Sequence, residues 1–168
     1  MNRLIPLLLS IFFLSCQAPE PEVKALPYEV SDAIDLSDSL VFKLNAWSNQ
    51  PTPIQLKHCR LRVKGDTTYA VLFTGDGYKG ITAFLMFCPD TLTLRAKHWG
   101  CTGSDIHTPL QSQVRISQNN IQVGDTVLLN IKASLINTTL VKNADFQAKS
   151  DTLFIQGAVR LVAELAEE

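Results

Sequence analysis

The side chains with most chemistry to offer lie between residues 59 and 107: Cys59, Cys88, Cys101, His98 and His107. Thiolate and imidazole are the soft donors that zinc or copper prefers, so His98-x2-Cys101-x5-His107 together with Cys59 is a candidate metal set. Its spacing matches no standard finger, there is no Cys-x2-Cys pair, and the methionine of a blue-copper loop is missing after His107. The same cysteines can instead form a disulfide or stay as thiols. A second concentration of chemistry is the segment Trp99 to Pro109 (WGCTGSDIHTP), which reads as a surface loop able to bind a ligand through Trp99, Ser104, Asp105 and His107. As an enzyme it would use Cys101 or Ser104 as nucleophile and His107 as base. Ser104, Asp105 and His107 are too close in sequence to be assumed a triad, which separate segments assemble. Gly100 to Ser104 lacks the lysine of a phosphate-binding loop, and the same composition serves an ordinary turn. No paired-carboxylate motif or nucleophile elbow is present, so no catalytic residue is assigned and an enzyme is not expected. Asn137-Thr138-Thr139 matches a glycosylation sequon, read as chance.

Which of these chemistries applies depends on the compartment, and the first residues speak to that. Met1-Asn2-Arg3 leads into the apolar run Leu4 to Leu14 (LIPLLLSIFFL), followed by Ser15 and Cys16. One positive charge, a short hydrophobic stretch and a small residue form a secretory signal. The run is shorter than the roughly 20 residues a membrane span needs, and Pro6 sits badly in a permanent helix. Phe13-Leu14-Ser15-Cys16 resembles a lipobox, the processing site of bacterial lipoproteins, with Phe13 where a small or aliphatic residue is usual. The resemblance covers residues 1–16 only. It implies cleavage before Cys16, diacylglycerol on the Cys16 sulfur as the one covalent group, and attachment to the cell envelope through the lipid. Gln17 stands where an aspartate would favour the inner membrane, so the resemblance implies the outer membrane.

The expected organisation is a signal at 1–15, a lipidated tether at 16–27 and one domain at 28–168. The tether (QAPEPEVKALP after Cys16) carries three prolines and little to bury, hence a semi-stiff, extended spacer. With Arg3 gone, 14 Lys and Arg stand against 16 Asp and Glu, a net −2 with no basic stripe, so nucleic acid is not an expected partner. An envelope protein, peptide or glycan is.

From about Leu40 the pattern has period two. Cys59, Leu61 and Val63 oppose His58, Arg60, Arg62 and Lys64. Tyr69, Val71 and Phe73 alternate likewise, as do Leu92, Leu94 and Ala96, and Val127, Leu129, Ile131 and Ala133. Ile81 to Phe87 is apolar on both faces, as a central strand would be. Gly65-Asp66-Thr67, Pro89-Asp90-Thr91, Gly124-Asp125-Thr126 and Ser150-Asp151-Thr152 repeat one punctuation: aspartate ends a turn and threonine opens a strand. The C-terminal segment fits a strand or a helical stripe; the strand is preferred because Glu167 and Glu168 would oppose a helix dipole. Together these predict an all-β fold, an antiparallel sandwich or a curled barrel of eight to ten strands. An exported protein favours a disulfide. Three chain reversals put Cys59 and Cys101 at one end of a meander, with Cys88 at the other, sharing parity with Phe84 and Met86 as a core thiol. A Cys59–Cys101 bridge then requires the sheet to curl, because four flat strands separate its partners by some 14 Å.

Overall fold

The computed structural model describes residues 24–44, 53–100, 103–137 and 152–166. Among them there are ten strands and no helix: β1 (Glu29–Val30), β2 (Val41–Leu44), β3 (Pro53–Gln55), β4 (His58–Lys64), β5 (Thr67–Gly75), β6 (Gly80–Phe87), β7 (Leu92–Gly100), β8 (Gly103–Ile116), β9 (Thr126–Asn137) and β10 (Thr152–Leu165). The strands form one mixed sheet with a ring through seven of them, a curled arrangement that is not a clean barrel and not purely antiparallel. β4 to β10 pair in chain order, each antiparallel to the next. β10 then closes the ring on β4 through a short parallel stretch, Ala163 to Leu165 against Leu61 to Val63. The C-terminal segment is therefore a strand, and its long pairing with β9, from Thr152↔Ile136 to Val162↔Thr126, is the backbone of the closure.

Closure gives each of the seven ring strands, β4 to β10, an inside. Leu61, Leu72, Leu85, Leu94, Leu129 and Ile131 are all buried, and they meet in one core. Each such side chain stabilises the fold by about 1.5–3 kcal/mol relative to exposure. On β5 the sequence reading has the parity reversed. Thr68, Ala70, Leu72 and Thr74 point inward, while Tyr69, Val71 and Phe73 lie outside. β6 does run centrally between β5 and β7, yet its outward Phe84 is 48 % exposed.

β7 and β8 pair only between Ala96–Gly100 and Gly103–His107, so their other halves splay apart. The chain before β2 fills that seam. Leu26, assigned to the tether by sequence, is only 8 % exposed and exchanges two 2.8 Å backbone bonds with Leu92. Glu29 and Val30 then run parallel to Arg115 and Ile116. The described fold thus extends into the segment taken as spacer.

β10 changes partner along its length, with β2 beside its first half and β4 beside its end. Between the two, Asp38 to Leu40 crosses against Ala158. Gly157 makes that crossing possible. Its φ is +120°, and a Cβ there would stand 2.6 Å from the Ser39 carbonyl oxygen.

Candidate functional site

At one rim of the ring lie the β4–β5 turn, the β6–β7 turn and the 117–125 connection, and between them opens a cavity of about 460 Å³. Its floor is apolar, with Phe87, Ile116 and Ile121 closing the core beneath it. Its walls are polar: the carboxylates of Asp66 and Asp90 and the amides of Gln118, Asn119 and Asn120.

Local chemistry holds these walls in place. Gly65 turns β4 into β5 at φ +57°, and Asn120 takes the left-handed region at φ 54°, which its short polar side chain tolerates. The Asp125 carboxylate accepts from the Gln122 backbone N–H and from the Gln118 side-chain amide, both at 2.8 Å, and so ties the 117–125 connection together. That is the turn-ending aspartate read from sequence, now seen with its donors. Across the cavity, the Tyr28 hydroxyl donates to the carbonyls of Cys88 (3.1 Å) and Pro89 (3.0 Å), and its ring packs edge-on against Phe87. Burial raises the Tyr28 phenol above its usual range, and Asp90 and Cys88 push it further the same way. The phenol therefore stays protonated and keeps its role as donor.

The arrangement accepts hydrogen bonds over an apolar base. Carboxylate oxygens only accept, amides both donate and accept, and the floor suits the C–H face of a ring. Nothing in the sequence singled out this rim except the aspartates of the turns. Its residues come from four separate segments, and no short motif contains them.

The residues the sequence did single out fall elsewhere. Trp99 to Pro109 is mainly strand, the end of β7 and the start of β8, with Trp99 opposite Ser104 and His98 opposite Asp105. Trp99 lies on the outer face, stacked 6.1 Å from Phe73. His107 is fully buried inside the barrel, in register with Asn137, which is itself buried. A residue so enclosed does not serve a surface loop, and Asn137 presents no acceptor for a glycan. Of Ser104 only the backbone is described, and Cys16 and Cys101 lie outside the described residues.

Cys59 and Cys88 carry free thiols. The Cys59–Cys101 bridge expected from the meander has no support here. The sheet does curl, but it closes by bringing β10 to β4, leaving β7 three strands away from Cys59 along the ring. Burial raises the Cys59 thiol above its usual range. Cys88 is not a core residue: Phe84 and Met86, whose parity it shares, face outward, and Cys88 sits half-buried in the turn that lines the rim cavity. For the metal set, no group of three His, Cys, Asp or Glu side chains stands together among the described residues.

No family model matches the chain, and no curated protein or solved structure is significantly similar to it. Fold and site define a ring-closed all-β module with a polar cavity at one rim.

Proposed function

We propose that the protein is a lipid-anchored module of the cell envelope, held through Cys16 in the outer membrane, that binds a glycan without transforming it. The single observation carrying the binding part is the rim cavity. Acceptor carboxylates Asp66 and Asp90, amides at 118–120 and an apolar floor make a complementary surface for a ring bearing hydroxyls. The anchor is supported by the leader Leu4 to Leu14 followed by Cys16.

The test is a thermal-shift and calorimetric titration against hexose and N-acetylhexosamine oligomers. A binding oligomer should lose at least about tenfold in affinity on Asp66→Asn with Asp90→Asn, the cost of weakened charged hydrogen bonds. No binding oligomer, or an unchanged affinity in the double variant, removes the glycan reading. The anchor is checked separately by metabolic labelling with an alkyne palmitate, which Cys16→Ser should abolish.

A further inference from the structure

The outside of β4 to β7 carries the exposed Phe84 and the half-buried Tyr69, Val71, Phe73, Met86 and Trp99 side by side. Cross-strand rows run Arg60, Val71, Phe84, Arg95, then Arg62, Tyr69, Met86, Thr93, then His58, Phe73, Thr82, Lys97. The first row has arginine at both edges and apolar side chains between; the second has Arg62 at one edge and Thr93 at the other, and the third runs from His58 to Lys97 with Phe73 beside Thr82. The third row continues into a stack: the Phe73 ring lies 5.9 Å from His58 and 6.1 Å from Trp99. Trp99 in turn covers Gly80, where an added Cβ would meet its ring at 2.5 Å.

The charge on this face is one-sided. None of the residues of β4, β5, β6 or β7 is Asp or Glu, in a chain with 16 acidic and 15 basic residues. Carboxylates stand only at its margins, with Asp66 and Asp90 in the turns of the cavity rim and Asp76 and Glu164 elsewhere on the border. Asp76, in the β5–β6 turn, is held by the N–H groups of Tyr78 and Lys79, and Glu164 of β10 stands in register with Arg62. An apolar and aromatic centre edged by Arg and Lys is the surface that settles at headgroup depth, with rings at the interface and cations on the phosphates.

On the anchor reading, the lipid at Cys16 holds this face within reach of a bilayer. Leu26 enters the barrel wall against Leu92, the first residue of β7, the strand that also carries Arg95 and Lys97. Cys16 lies ten residues earlier, a reach of at most about 36 Å. We infer that the outer face of β4 to β7 rests on anionic phospholipid headgroups of the membrane that holds the chain. The identity of that membrane rests on the anchor reading; the affinity of the face does not.

The experiment uses the full chain with Cys16→Ser, so that no acyl group is attached, and measures co-sedimentation with phosphatidylcholine vesicles with and without phosphatidylglycerol. The apolar leader is common to both vesicle types and cancels in the comparison. Phosphatidylglycerol should raise binding by more than about tenfold, and high salt should remove the gain. Arg60→Glu with Arg95→Glu and Lys97→Glu should abolish the gain, while Lys132→Glu with Arg160→Glu on the β9–β10 wall should keep it. Phe84→Asp, a single change at an exposed site, serves if the triple variant does not fold, and should lower the gain several-fold. With Trp47→Phe, Trp99 is the sole tryptophan, and its emission should move to shorter wavelength on vesicles. Equal binding to both vesicle types, or a gain that survives the face variants, overturns the inference. So does binding to soluble polyglutamate that matches the vesicles while Trp99 emission stays put on them, which would mark an acidic-polymer site. Failure of the face appears in the vesicle assay, and failure of the anchor appears in palmitate labelling.

Discussion

Leu26→Ala tests whether the seam between β7 and β8 is closed by the chain that precedes them. The Leu26 side chain is 8 % exposed and packs in the main core, while its backbone exchanges two bonds with Leu92. The substitution removes three carbons and leaves the backbone pairing intact. At about 0.8 kcal/mol for each carbon, the transfer loss is about 2.4 kcal/mol. A residual cavity adds to this, and buried Leu→Ala changes span about 2–5 kcal/mol. Leu26 sits in a segment joined to β7 by an isolated bridge, so the wall can relax around the gap and the lower end applies, about 2–3 kcal/mol. For a chain of this size that is a fall in Tm of about 4–12 °C.

Urea unfolding followed by circular dichroism gives the free energy, with Lys24→Ala, at an exposed neighbouring site, as the control expected within about 0.5 kcal/mol of the parent. The m-value should not change, because the same surface is exposed on unfolding. A Leu26→Ala protein indistinguishable from the Lys24→Ala control would refute the reasoning and return residues 24–27 to the spacer that the sequence suggests.

Two further outcomes follow from the same geometry. Gly157→Ala should destabilise by at least about 2 kcal/mol, since φ +120° is strained for alanine and the new methyl meets backbone of Ser39 and Leu40; parent-like urea midpoints would show that the crossing is not fixed. Cys59, whose thiol burial raises, should be alkylated by iodoacetamide at about pH 8 more slowly in the folded protein than in urea. The sign for stability is the same for Cys59 and Tyr28. Both are held neutral by the fold, so their contribution is complete below the unfolded values and is lost as pH rises through the folded ones, and urea midpoints should decline above about pH 9. Equal alkylation rates, or midpoints that rise with alkaline pH, would contradict the burial.

Strand content was legible because alternation and turn chemistry are local. Leu92, Leu94 and Ala96 point inward as their spacing predicts, and Thr67 and Thr126 open strands after turn aspartates. Long-range closure was not legible. β10 meets β4 between residues 102 apart in the chain (163 − 61), and nothing in either strand names the other. The disulfide expectation failed to gain support for that reason: curling was anticipated, but not which strands it would join. The rim cavity was invisible for a related one, since Tyr28, Asp66, Asp90 and Asn119 become neighbours only when four connections meet.

The reversed parity of β5 has a physical cause that bears on function. Alternation identifies an inside only when the other face is polar, and here Thr68, Ala70 and Thr74 point in while Tyr69, Val71 and Phe73 point out. Small residues suit the inside of a tight ring, where opposite walls approach closely and larger side chains from β4, β6 and β7 already fill the space. The large side chains outside gain nothing from that core. They are flanked instead by Arg60 on one side and, beyond Phe84, by Arg95 on the other. Part of their apolar character serves the sheet itself, since Val71 and Phe84 face each other across β5 and β6 and such a pair contributes about 0.2–1 kcal/mol; the proposed membrane contact would use the same surface.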